Sequence, residues 1–585
     1  MWNIPSDNKT LTLATSLATE CNFTIDWGDE NTETNNNCRD ITHTYAKKGT
    51  YTVKIKGTLD GFGWQINTDE ATSNDEVSPS MLTEVQAFGP VGLGKQAFAF
   101  CKNLKKVSHI DIPDASKLTT LEFAFFNDEN FNDSLEYWDI SNVTSLYKTF
   151  RNCTKFNQPL NHWDTSHVTT LNQTFRFSQT FNQPLDKWDT SQVTDMYLMF
   201  SSAKAFNQPL NNWDTSNVIN MAYLFYAASA FNQPLNNWNT SNVTNMAYLF
   251  YTAKAFNQPL ENWDTSNVIN MAFMFDGAEA FNQPLNAWNT SKVTNMECMF
   301  SGAEAFNKPI EGWNTSKVKT MEQMFEAAEA FNQSLNNWNT SNVTNMADMF
   351  AGAKAFNMPI NNWDTSNVTN MADMFYEAEA FDQPLNNWNT SNVTNMASMF
   401  TGAIAFNKPI KDWDTSKVTS MYGMFWGAKA FNQSLNDWNT SNVTTMQSMF
   451  KETDNFNQPL DKWNTSKVTT MTGMFQSAKA FNQPLNSWDT SKVEKMTEMF
   501  SGTPFNHPLD KWNTSKLNYL TRMFNNAKQF NQDLSLWDIS NVKATDGMSN
   551  INVFRNSGLS KENYCKIAEK WTKQGIKLGD LYTCP

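Results

Sequence analysis

Residues 206–225 read FNQPLNNWDTSNVINMAYLF, and residues 231–250 read FNQPLNNWNTSNVTNMAYLF. The sentence keeps returning. Tryptophans stand at Trp138, Trp163, Trp188 and every 25 residues to Trp488, then at Trp512 and Trp537. That makes seventeen copies with one single-residue deletion, at SGTPFNHPL. Self-similarity at such a period marks a repeat architecture and takes precedence over local pattern. With the first Phe of each copy as position 0, the pattern is F-N-Q-P-L-x-x-W-[DN]-T-S-x-V-x-x-M-x-x-[ML]-F-x-x-A-x-A.

The copies drift unevenly, and the unevenness separates inside from outside. Positions holding Phe, Leu, Trp, Ser, Val, Met and Phe hardly change, while the pair before Trp, the residue before Val and those after Met vary freely. The invariant apolar positions are therefore expected inside. Met346, Met349, Phe350 and Ala353 have the spacing of one helical face, which predicts a helix of about two to three turns in each copy. FNQPL predicts an extended piece whose ladder is interrupted, because Pro lacks a donor. The residue after Trp is Asp in nine copies and Asn in eight. That interchange predicts a side-chain oxygen accepting a backbone N–H two residues on, rather than a calcium ligand.

One copy buries too little apolar surface to offset the entropy of ordering its chain, so the copies must lean on one another. The fold class that follows is an α/β repeat solenoid, with a short strand and a short helix per 25-residue coil. The tryptophan row is then a core stack rather than a sugar-binding ladder. The Thr-Ser pairs serve turns rather than a flat hydroxyl array.

The bulk numbers agree with a long stack. At 585 residues the chain exceeds one ordinary core, and 40% hydrophobic content excludes compositional disorder for most of it. A formal charge of −14 with no basic stripe argues against nucleic acid. No apolar run is long enough to span a membrane. MWNIPSDNKT lacks the features of a signal peptide, so the chain either avoids that route or begins after processing.

The segments around the copies use other dialects. Residues 95–126, within entry coils at 81–130, read KQAFAFCKNLKKVSHIDIPDASKLTTLEFAFF. They resemble the BspA-like class of leucine-rich repeat. The tryptophan copies at 131–549 resemble the 25-residue bacterial lipoprotein surface repeat of the WDTSNVTNMxxMF type. Together the two resemblances cover roughly residues 95–585. They imply an irregular leucine-rich-repeat solenoid, extracellular or on a bacterial cell surface.

At 550–585 a helical cap is expected: Ser560 precedes KENYCKIAEKW, with Tyr564, Ile567, Ala568 and Trp571 on one face. At 1–57, FTIDWGDENTET and ITHTYAKKGTYTVKIKG resemble a polycystic-kidney-disease-like β-sandwich module through Trp27, Gly28, Asp29, His43, Tyr45, Gly49, Tyr51 and Val53. Residues 58–80 are expected to be a linker or insert.

Few residues carry candidate chemistry. Cys21 with Cys38 and Cys565 with Cys584 are candidate disulfides in an oxidising compartment. Cys101 and Cys153 are expected as inert buried thiols, and Cys298 as a reactive thiol on an outer position. Asp26 and Asp29 are expected in a turn rather than on Ca²⁺. No triad, metal spacing or cofactor motif stands out, so no enzyme and no cofactor is expected.

The expected function is non-enzymatic adhesion, or interaction with a protein or glycan on a host or neighbouring cell. Candidate contacts are the pair before Trp (Asp186, Lys187, Lys411) and the residue before Val (His167, Lys292, Lys417). The alternative is a structural spacer, surface-layer or fibre component that self-assembles through its ends.

Overall fold

The computed structural model describes residues 1–64, 77–543, 550–579 and 581–584. The chain divides into two compact units, Met1–Lys292 and Val293–Pro585.

The first unit opens with seven short strands: β1 Trp2–Ile4, β2 Lys9–Leu13, β3 Cys21–Asp26, β4 Thr32–Asn35, β5 Ile41–Tyr45, β6 Gly49–Tyr51 and β7 Lys54–Leu59. All pairings are antiparallel, in three small sheets of order β1-β6, β2-β5 and β4-β3-β7. Alternation turns Leu11, Leu13, Phe23, Ile25 and Tyr45 inward, each at most 2% exposed. The Tyr45 hydroxyl donates to the Trp27 carbonyl at 2.9 Å, and His43 stacks on Trp27. A boundary at residue 57 falls inside β7, which runs on to Leu59. Of the expected linker, residues 65–76 lie outside the described residues. The one-turn helix α1, Val77–Ser80, follows.

The copies are built differently from expectation. Among the described residues no helix forms in them, and their strand character is confined to isolated parallel bridges. In the second unit, the N–H groups of Met346, Asp348, Phe350 and Gly352 donate to Asn370, Ala372, Met374 and Tyr376 of the next copy, at 2.6–3.1 Å. Those of Met349, Ala351 and Ala353 turn back three residues within their own copy, and Ala347 N–H donates to Asn345 Oδ1. Every second N–H is thus spent on the neighbour. Asp348 and Gly352 sit at φ 55° and 69°, in the left-handed region no α-helix contains.

The reason lies in spacing. Equivalent rings of successive copies are about 6 Å apart, as for Phe331 and Phe356. Packed helices need roughly 8–10 Å. Consecutive turns satisfy the backbone at the closer distance. The same alternation runs through the first unit, beginning at Gln96, which donates to Glu122, and repeating at Met221, Tyr223, Phe225 and Ala227.

Around this turn ladder lie two further columns of backbone contact. Position 13 donates to its counterpart 25 residues earlier, as Thr344 does to Lys319 at 3.0 Å, and position 14 forms parallel bridges such as Asn345 with Asn370. At FNQPL a side chain replaces the interrupted ladder. Asn207 Oδ1 accepts from Asn232 N–H at 2.9 Å and from Gln233 Nε2 at 3.0 Å, and the pattern recurs from copy to copy.

The core is a set of stacked columns. Phe206 and Phe231 lie 6.0 Å apart and 5° from parallel, Phe225 and Phe231 3.9 Å apart, and Trp213 and Trp238 6.4 Å apart at 2°. The deletion near Thr503 shortens the link between positions 22 and 0, outside these columns. Phe505 still stacks between Phe481 and Phe530 at 6.4 and 6.5 Å.

The second unit ends in β8 Asn550–Ile551, paired parallel with β9 Lys577–Leu578, and the helix α2, Lys561–Thr572. Ser560 caps α2 by accepting from Asn563 N–H, and Tyr564, Ile567 and Trp571 are its buried face.

Candidate functional site

Two repeated rows that could have met a ligand are enclosed. The indole N–H of Trp213 donates to the Leu185 carbonyl at 2.9 Å, Trp438 repeats this on Ile410 at 3.1 Å, and both rings are 3% exposed. A stacked, hydrogen-bonded indole offers no face to a sugar. Thr215 and its equivalents are also buried, and in most copies Oγ1 donates to a carbonyl of the next copy, as Thr215 does to Asn239. The Asp or Asn after Trp accepts from the Ser N–H two residues on, as Asp214 does from Ser216 at 2.9 Å, so the turn forms with either residue. The Ser hydroxyl and N–H hold that carboxyl below its usual range.

The candidate contact residues are mostly engaged along the columns. Lys292 Nζ donates to Asn267 Oδ1 and Lys417 Nζ to Asn392 Oδ1, each at 2.6 Å, while His167 is exposed beside the Ser166 hydroxyl. Asn161 donates to Asp186 and accepts from the Lys187 N–H. Lys411 is exposed. Asp186, Lys187, Lys292 and Lys417 thus lie on the outside but serve a neighbouring copy.

The face that changes most in chemistry lies on the turn ladder, at positions 16, 17 and 20. Over the copies between Phe206 and Phe275 of the first unit it is largely aromatic. Tyr223, Tyr248 and Phe273 stack in sequence at 4.4 Å, beside Tyr226 and Tyr251 at 4.5 Å, all partly exposed. Because the rings cover one another's faces, their phenolic rims are what solvent meets.

In the second unit the same positions carry Glu322, Glu326, Asp348 and Asp373 in successive copies, with Tyr376, Tyr422 and Trp426 following. Burial, then Asp373, Glu326 and Glu322, push Asp348 up to about 6. Burial chiefly raises the other three as well. Sequence reasoning placed the residues after Met outside but did not single them out. The switch from Tyr to Asp and Glu was the available signal.

Both cysteine pairs are disulfides, Cys21–Cys38 and Cys565–Cys584, with Cα atoms 5.2 and 5.5 Å apart. Cys298 departs from expectation: it is 3% exposed, and its Sγ donates to Gln323 Oε1. The turn ladder draws position 17 against its neighbour, where a helix would have pointed it outward.

Cys101 and Cys153 are fully buried, and burial followed by the Asp128 charge pushes both thiols up. Asp26 and Asp29 accept turn N–H groups, and Asp29 also pairs with His43 at 2.7 Å. Among the described residues no three His, Cys, Asp or Glu side chains gather as a metal-holding group. No helix among them is long and apolar enough to cross a membrane.

No curated protein is matched by the sequence. The family described as "Mycoplasma protein of unknown function, DUF285" is matched eight times in overlapping succession, at residues 94–208, 171–283, 234–337, 257–363, 304–411, 352–463, 404–505 and 452–562. Its matches span the region in which the turn ladder recurs, well over half of the chain, and the protein belongs to that family.

Proposed function

We propose that this is a non-enzymatic, extracellular or bacterial-surface solenoid that presents its turn-ladder face to a protein or glycan partner. The observation that carries the proposal is the contrast between columns. Core positions repeat almost without change, while positions 16, 17 and 20 change chemistry in local stretches, with tyrosines such as Tyr223 and Tyr248 in one and carboxylates such as Asp348 and Asp373 in another. A spacer needing only length would have no use for such zoning.

The resemblance of the copies to BspA-like leucine-rich and lipoprotein surface repeats supports a surface location. The resemblance of residues 1–57 to polycystic-kidney-disease-like modules points the same way. Both disulfides fit an oxidising compartment.

The test applies the full chain to arrays of glycans and extracellular proteins. It is repeated with Tyr223, Tyr226, Tyr248 and Tyr251 all changed to Ser, and separately with Asp348 and Asp373 changed to Asn. Loss of binding in either variant, with an unchanged melting curve, supports the proposal. Binding untouched by both, with ordered polymers in micrographs, would favour the structural spacer or fibre.

A further inference from the structure

β7 is the outer strand of the sheet β4-β3-β7, and most of its free edge has no partner among the described residues. Its register on β3 pairs Cys21 with Leu59, Phe23 with Gly57 and Ile25 with Ile55. Asp60 N–H donates to the Glu20 carbonyl, so by alternation Thr58, Lys56 and Lys54 turn their backbone groups toward β3. Leu59, Gly57 and Ile55 then turn theirs away. The Leu59 carbonyl accepts from Gly92 N–H at 2.9 Å. Beyond that bond the chains part, and among the described residues the outward N–H and C=O of Gly57 and Ile55 meet no partner.

Between this edge and residues 84–91 lies a groove of about 590 Å³, with Trp2, Leu82 and Phe88, all buried, in its lining. An open ladder edge beside an apolar lining is the geometry of strand addition. Charge selects the occupant. Lys54 and Lys56 are exposed on the same face of β7, without an ion pair among the described residues. Of the carboxylates opposite, Asp111 already accepts from Gly89 N–H, and Glu84 interacts with the Met1 ammonium.

A second copy's β7 would bring lysines against lysines, the arrangement that discourages edge-to-edge pairing. An acidic strand would meet them favourably. We infer that this groove binds an extended peptide of a partner protein, acidic at alternate residues beside Lys54 and Lys56 and apolar at those beside Ile55 and Gly57. This site lies apart from the turn-ladder face and does not depend on it.

The test uses the full chain and three fluorescein-labelled decapeptides: alternating glutamate and valine, alternating lysine and valine, and the glutamate peptide with prolines in place of two valines. Anisotropy reports binding, and amide exchange reports Ile55 and Gly57. The glutamate–valine peptide should bind best and slow exchange at both amides. Lys54→Glu with Lys56→Glu should weaken it about tenfold or more and favour the lysine peptide. Both lysines are exposed, and an unchanged melting curve checks that the variant folds.

Equal binding of all three peptides, or binding without protection of Ile55 and Gly57, would overturn the proposal. So would protection that rises with the concentration of the chain alone, which would give the edge to a second copy.

Discussion

Trp571 lies over Trp537 with ring centroids 6.5 Å apart and planes 21° from parallel, although one residue belongs to α2 and the other to the last tryptophan copy. Its indole donates to the Leu534 carbonyl at 3.2 Å, as Trp537 does to Leu509 at 3.0 Å. Ser560 N–H and Asn563 Nδ2 converge on Asn531 Oδ1, as Asn531 N–H and Gln532 Nε2 converge on Asn506 Oδ1. Phe554 continues the Phe524 column at 5.8 Å. The cap therefore reproduces the surface of a copy with a different backbone, and the last copy meets the contacts its predecessors meet. Without such a cover a repeat stack ends in wet apolar columns.

Trp571→Ala should remove about 3–5 kcal/mol from the cap. Because copies interact with their nearest neighbours, the loss should stay local. Amide exchange should quicken across 505–543 and remain unchanged across 400–450. Uniform acceleration over both stretches would contradict nearest-neighbour stability.

The asparagine column makes a second prediction. Asn232 Oδ1 accepts from both Asn257 N–H and Gln258 Nε2, each at 3.0 Å. Asn232→Ala strands both donors and should cost about 1–3 kcal/mol. One copy already shows a working substitute: Asp382 accepts from Asn407 N–H at 2.9 Å and Lys408 Nζ at 2.7 Å. Asn232→Asp combined with Gln258→Lys should therefore recover most of the melting temperature that Asn232→Ala loses. A double variant no more stable than the alanine would refute the role of this oxygen.

What the sequence made legible was the inside. Met346, Met349, Phe350 and Ala353 were assigned to one buried face, and all four are inaccessible. Their conformation was not legible, because spacings of three, four and seven suit a run of turns as well as a helix. What decides between them is the distance to the next copy, and no single copy carries that distance. For the same reason the sequence of one copy leaves Lys292 and Lys417 free to meet a partner, whereas in the fold their side chains reach the preceding copy. Drift at that position exchanges one side chain able to span the gap for another. The disulfides were legible as proximity in sequence, whereas the unpaired edge of β7 depends on which strands pair.

The carboxylates of the second unit predict a pH response. Asp348 titrates at about 6 in the fold, above its ordinary range, so the folded chain binds more protons than the unfolded one between roughly pH 4 and 6. Stability should fall as pH rises through that window and stay lower above it. Asp348→Asn, which removes a charge facing Asp373, Glu326 and Glu322, should stabilise the unit by about 1 kcal/mol at pH 8, less in high salt, and hardly at all at pH 4. Urea melts at the two pH values decide it. An equal gain at both would mean packing, not charge, is responsible.

Asp128 makes the same prediction in a stronger form. It is fully buried in the column that holds Cys153, Ser178 and Ala203 in the following copies, and neither carboxyl oxygen meets a well-formed hydrogen bond, the Cys101 backbone offering only a weak one. Burial pushes its carboxyl well above the usual range, so the fold holds it protonated at a pH where the unfolded chain has released the proton. Its contribution to stability must therefore decline as pH rises from the ordinary carboxylate range toward the folded value. Asp128→Ala puts into the column the residue that later copies use and removes a poorly satisfied buried polar group. It should raise stability by about 2 kcal/mol near pH 8, with a smaller gain at pH 4. Melts of the wild type and the variant at both pH values test this. A variant that is less stable at pH 8 would mean that the carboxyl has a partner the fold depends on.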